Sequence, residues 1–184
     1  MEIRKGSSSD LRWIVKLLKE GARDGHFLPT MQMQAEGYLN SVIEHGGVQM
    51  IKLRNSIQAP VFVPMELSVA EIDGSPSSFL VCCKENNEVE VHLAGTKTPF
   101  KQKGCFTYLV QDTISKNQNS KIYARCYRKS SIAIDALKKL NFEIAAGGDP
   151  IELVHTKIKP NKQINGTRKT WLSSLWSSIV AKFS

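Results

Sequence analysis

The stretch TKTPFKQKGCFTYLVQ, residues 96–111, joins a basic turn, a single glycine at Gly104 and the opening of a helix-periodic run. Free N–H groups at a helix start, together with the positive end of the helix dipole, hold phosphate groups. The N–H groups of Gln102, Lys103, Gly104, Cys105 and Phe106 are placed for that task, and Lys101 and Lys103 add charge. Phe106 stands where a second glycine would let a ligand come closer to the backbone. The plainer alternative is a basic surface turn capping an ordinary helix. Just upstream, in VEVHLAGT, Glu90 and His92 are two residues apart on an extended run. Strict alternation puts them on one face and Val89, Val91 and Leu93 on the other. In a partly buried cleft a carboxyl pKa rises toward the working pH, which would suit Glu90 to general-base work. His92 is an alternative base. Against these stand an ion-paired strand glutamate and a structural imidazole.

The elements that must position these residues follow from pattern and punctuation. Residues 2–5 suit a short strand. Ser9 or Asp10 is a candidate N-cap before a helix that buries Leu11, Ile14, Val15 and Leu18 and is broken by Gly21 and Gly25. A second helix is expected over 32–44, with Ala35, Tyr38, Leu39, Val42 and Ile43 inward and Gly46-Gly47 as its stop. Strands are expected at 49–53, 67–72, 79–83 and 89–94. Asp73-Gly74 and Asn86-Asn87 turn the chain between the last three. After the basic turn come a helix to about residue 115, a buried strand at 122–127, and a helix at 131–140 with Ile132, Ala133, Ala136, Leu137 and Leu140 inward. Strands at 142–145 and 151–156 follow. This order implies an α/β domain with a mixed sheet.

The chain has 184 residues, 41% of them hydrophobic, enough for one domain with a core. Its net charge of +8 is concentrated beyond Glu152, where six basic residues and no acidic ones lie. The body is nearly balanced, which disfavours nucleic acid as a partner. Cys82, Cys83, Cys105 and Cys126 form neither a CxxC pair nor a metal-ligand spacing, so free thiols and no metal are expected. With no secretion signal and no long apolar run, a cytoplasmic protein is expected, and the sequon at Asn165 is incidental.

Element order over residues 1–156 and the basic loop together resemble the GNAT acetyltransferase superfamily. The family's acyl-CoA loop, Q/R-x-x-G-x-G/A, is matched by KQKGCF, with Gly104 in place, Lys101 as a basic substitute and Phe106 departing from the last position. The stretch GARDGHF, residues 21–27, is similar to one that follows the first helix in some members. AIDALKKLNF, residues 133–142, is similar to the family's A-x-x-x-Y-x-K-x-G-F helix, with Leu137 in place of tyrosine and Asn141 in place of glycine.

The resemblance implies a mostly antiparallel central sheet flanked by helices. It implies acetyl-CoA as co-substrate, a primary amine as acceptor, and Glu90 as base at the offset seen in some histone acetyltransferases. The donor would lie along Ala94 and Thr96, residues 101–106 and Ser130. Acetyl transfer also profits from an acid that protonates the leaving thiolate. Tyr127 is the candidate, with Tyr123, Cys126 and Ser130 as alternatives. Cys105 is read as a packing residue, since nothing pairs it with a base.

Past a basic linker at 157–169, the segment TWLSSLWSSIVAKFS suits an amphipathic helix over 170–184. Trp171, Leu172, Leu175, Trp176, Ile179, Val180 and Phe183 share one face. Such a face docks on its own domain, a second copy or a partner protein, or lies on an anionic membrane. Two functions from different classes follow: a GNAT-type N-acetyltransferase, or a GNAT-fold module with a degraded site that acts through this helix.

Overall fold

The computed structural model describes residues 1–54 and 57–156. The linker and helix expected over 157–184 lie outside the described residues. Eight strands and four helices follow in the order β1 (Glu2–Lys5), α1 (Leu11–Arg23), α2 (Met31–His45), β2 (Gly47–Arg54), β3 (Ile57–Ile72), β4 (Ser75–Glu85), β5 (Glu88–Thr96), α3 (Cys105–Lys116), β6 (Lys121–Cys126), α4 (Ser131–Lys139), β7 (Phe142–Ala146) and β8 (Ile151–His155). The sheet runs β1-β3-β4-β5-β6-β8-β7, with β2 paired to the first half of β3. All pairings are antiparallel except β5 with β6.

Each face of the sheet has its own apolar cluster. Ile14 and Leu18 of α1 and Ala35, Leu39 and Val42 of α2 pack with Val69, Phe79, Val81 and Leu93. Leu109 and Val110 of α3 and Ile134 and Leu137 of α4 pack with Leu80, Val91, Ile122, Ala124 and Leu153 on the other. The α1 start is set by Asp10, 1% exposed, whose carboxylate accepts from both Arg4 Nη atoms (2.7 and 2.9 Å), the Trp13 indole (3.0 Å) and the Ser7 amide (3.0 Å). Asp10 therefore serves Arg4 and Ser7 rather than the free amides of α1.

Several sequence expectations are corrected. Gly21 does not break α1, which continues to Arg23. Phe27 folds back on it instead: the ring sits 2.5 Å from where a Cβ at Gly21 would be, and the Gly21 carbonyl accepts from the His26 amide at 2.7 Å. This close approach accounts for the glycine in GARDGHF. The strand β3 begins ten residues earlier than expected and takes in Pro60 and Pro64. Over 57–64 it pairs with β2 alone, leaving an open edge that tolerates proline. On α4, Ile134 and Leu137 are the buried residues, whereas Ile132 is 83% exposed and borders a cleft.

The parallel seam between β5 and β6 is short. It pairs Glu88–Val91 with Lys121–Ala124 and then stops, although β5 runs on to Thr96. At the same point β5 bulges: Val91 pairs with Cys82 and Leu93 with Val81, so His92 is an extra residue. The bulge overturns strict alternation. Leu93 joins the α1–α2 cluster, while Val89 and Val91 stay in the other.

Candidate active site

A cleft of about 1240 Å³ opens where β5 and β6 part. Glu90, His92, Leu93, Ala94 and Thr96 of β5 line its floor, with Tyr123, Arg125 and Cys126 of β6. One wall comes from the loop at 100–107 and from Ile132, Ala133, Ala136 and Leu137 of α4. The other comes from α1, the α1–α2 loop and the β2–β3 arm. Among the described residues the β5 backbone beyond Val91 has no strand partner on its β6 side, so its polar groups there face the cleft.

The basic loop has the form that anion binding requires. Gln102 (φ 63°) and Gly104 (φ 78°) both take left-handed backbone conformations that coil the loop before α3. A Cβ at Gly104 would meet nothing within 4 Å, so the backbone there is open to a ligand. The first helical bond is given by the Tyr108 amide to the Gly104 carbonyl at 2.9 Å. The amides of Cys105, Phe106 and Thr107 precede that ladder, as the first amides of any helix do. Lys101 and Lys103 are exposed. The Phe106 side chain packs against the α3–α4 cluster, and the residue also borders the cleft. Cys105 is 1% exposed, in line with a packing role.

Glu90 has a different character from the one expected. It is 5% exposed and gripped by Arg125, whose Nε lies 3.0 Å from Oε1 and Nη2 2.7 Å from Oε2. Tyr123 donates its hydroxyl to Oε2 at 3.4 Å, and His92 Nδ1 lies 3.3 Å from Oε1. Burial lifts the carboxyl pKa as anticipated, but the charge and hydrogen bonding of His92 and Arg125 outweigh it and hold the group at about 2. Glu90 is thus an ionised, hydrogen-bonded carboxylate, not one raised toward neutrality. Cys83 Sγ, a Glu90 oxygen and a His92 ring nitrogen lie within 4.8 Å of one another. The Glu90 oxygens are already committed to Arg125, and burial with the Glu90 charge keeps Cys83 a thiol, its pKa well above the usual range.

The remaining candidates separate into two groups. Tyr127 lines the cleft, and burial with the nearby Asp149 charge raises its phenol pKa, so it stays protonated. Ala94 and Thr96 also line it. The Thr96 hydroxyl is within 2.9 Å of Ser78 Oγ. Ser130 lines the cleft too, but its hydroxyl is 3.0 Å from His26 Nδ1, joining the α1–α2 loop to the β6–α4 loop. Cys126 is pushed up to about 11 by burial and by Glu90, and remains a thiol at neutral pH. Sequence reading missed Arg125, Cys83 and Tyr38, whose ring centroid is 6.3 Å from that of His92. A period-two pattern puts Tyr123 and Arg125 on one face of β6, but only the β5–β6 register places that face beside Glu90.

No protein-family model matches the chain, and no curated protein matches it in sequence. Solved structures do. The PaiA N-acetyltransferase of Thermoplasma acidophilum, in complex with coenzyme A, superposes with TM-score 0.58 at 13% identity, over 83% of this chain and 96% of that one. A GNAT-family acetyltransferase from Desulfovibrio desulfuricans gives 0.60 at 10% identity, over 84% and 96%. The chain has the GNAT fold. The aminoglycoside acetyltransferase AAC(6')-Ib, with coenzyme A and kanamycin, shares this fold at TM-score 0.57 and 16% identity, over 83% of this chain and 92% of that one. Within the fold, the part that departs most from the sequence expectation is the closed pairing of Glu90 with Arg125. No helix among the described residues is long and apolar enough to cross a membrane.

Proposed function

We propose that the chain is an acetyl-CoA-dependent N-acetyltransferase acting on a primary amine. The observation that carries this is the parting of β5 from β6 at the His92 bulge, in a cleft that leads directly to the open backbone at Gly104. Bound coenzyme A in structures of the same fold supports it.

The residues present fit such a co-substrate. The amides of Gln102, Gly104, Cys105 and Phe106 and the charges of Lys101 and Lys103 hold the diphosphate, while the Lys103 amide donates to the Phe100 carbonyl at 3.4 Å. The unpaired backbone of Ala94 and Thr96 accepts the amide-bearing arm as a strand edge accepts a neighbour. Acetyl-CoA supplies the activated thioester. The chain's residues orient the amine and move its proton. His92 takes that proton directly or through a water molecule, held in place by the Glu90 carboxylate. Glu90 in turn is fixed by Arg125 and Tyr123. The role first assigned to Glu90 as base therefore passes in part to His92, with Glu90 as its ionised partner. Tyr127, which lines the cleft and is kept protonated by its surroundings, donates to the departing thiolate.

A second reading is a GNAT-fold module without catalysis, attached to a second copy, a partner protein or an anionic membrane through residues 171–183. Two observations favour it: the ion-paired state of Glu90, and Leu137, 1% exposed on the cleft wall, in place of a hydroxyl. Calorimetric titration with acetyl-CoA separates the two. Micromolar binding that Gly104→Glu abolishes, followed by turnover with an amine that His92→Ala abolishes, supports the enzyme. Absence of binding at millimolar acetyl-CoA overturns it.

A further inference from the structure

The second wall of the cleft bears on which amine is taken, and this inference rests on the acetyltransferase reading above. Leu17 of α1, Phe27 and Leu28 of the α1–α2 loop, Met31 of α2, Met50 of β2 and Val61 of β3 line it. All but Met31 are only partly buried, so their apolar surface is open to an occupant. An apolar wall left wet is unfavourable, and its natural complement is an apolar body. Two of the six are methionines, which adapt to ligands of irregular shape.

Four of the five carboxylates lining the same cleft, all but Asp24, are engaged. Glu20 is 3.9 Å from Lys16, Glu88 is 3.3 Å from Lys121, and Glu90 is held bidentately by Arg125. Glu85 is partnered as well, and Asp24 stands exposed at the mouth. A polyamine or an aminoglycoside carries several ammonium groups, and each one removed from water needs a compensating acceptor. Apart from Glu20 and Asp24 the wall supplies hydrocarbon where such a ligand needs carboxylates, and the buried Arg125 guanidinium opposes a further cation at the floor. A single amine on an apolar body has one such group to compensate rather than several.

We propose that the acceptor is a monoamine carried on an apolar body, either a free arylalkylamine or the amino end of a peptide with a large apolar first residue. The test uses the full chain and follows CoA thiol release from acetyl-CoA. The acceptors are 2-phenylethylamine, a leucyl peptide amide, spermidine and kanamycin. The expected result is a kcat/KM at least tenfold higher for the better of the first two than for either polycation, and the ratio between those two identifies the source. Met50→Glu is expected to lower kcat/KM for the apolar amine about tenfold, with acetyl-CoA affinity within twofold of the parent as proof of folding. Equal or higher kcat/KM for spermidine or kanamycin overturns the inference, as does acetyl-CoA binding without acetylation of any of the four. Failure to bind acetyl-CoA at all defeats the underlying acetyltransferase reading instead.

Discussion

The two functional ends of β5 solve opposite problems. Toward its C-terminus the strand leads into an open cradle of backbone amides, where a glycine at φ 78° leaves room for a ligand. In its N-terminal half it carries Glu90 into a closed network of side chains from β5 and β6, with almost no exposure. A cradle made of backbone tolerates side-chain change, provided the bulk packs elsewhere, and Phe106 packs at least in part against the α3–α4 cluster. A network made of side chains does not, because each member compensates another's burial.

That contrast is broken most strongly from the closed end. Arg125→Met leaves a buried carboxylate unpaired and is expected to destabilise the fold by about 3 kcal/mol in urea titration. Adding Glu90→Gln should recover part of that loss. If the single substitution costs nothing, the network is not the closed unit described. At the open end, Gly104→Glu puts a side chain and a negative charge into the cradle. It should weaken acetyl-CoA at least about 100-fold by calorimetry while leaving urea stability within about 1 kcal/mol, the cost of strain at positive φ.

Acid sharpens the comparison further. Glu90 and Asp10 both have folded pKa values of about 2, below the usual carboxylate range. Folded values depressed in this way stabilise the protein above the unfolded pKa near 4, and the contribution disappears as pH falls toward 2. Stability should therefore be level from pH 7 to about 5 and drop by on the order of 2 kcal/mol per carboxylate below that. Arg125→Met should flatten the Glu90 share. The smallest effect is expected at Phe106→Ala, where acetyl-CoA affinity changes by less than about threefold because the amide remains. A larger loss would show that the ring itself touches the ligand.

Legibility in the sequence follows the same division. Local signals carried most of the fold. Glycine and Asp-Gly or Asn-Asn turns marked element ends, and helix periodicity marked the faces of α1 and α2. The basic loop could be singled out because the residues proposed to hold the co-substrate are contiguous. The Glu90 network was not, since its partners come from β6, more than thirty residues away, and depend on a register that no local pattern records. The bulge at His92 was invisible for a related reason. It arises from pairing with β4, and VEVHLAG alternates in sequence as though the strand were regular. The first half of β3 was hidden because Pro60 and Pro64 suit a strand only where one edge is free, and no local pattern shows which edge that is.

The four-residue seam between β5 and β6 has a mechanical consequence. The unit formed by β6, α4, β7 and β8 meets the rest of the sheet through those few rungs, pinned by Glu90 to Arg125 on the floor and His26 to Ser130 across the loops. A ligand lying in the gap acts as a splint along the line where the molecule would first hinge open. Amide hydrogen exchange in β6 and β8 should slow when the cleft is filled, more than in β3 or β4, which lie on the far side of the seam.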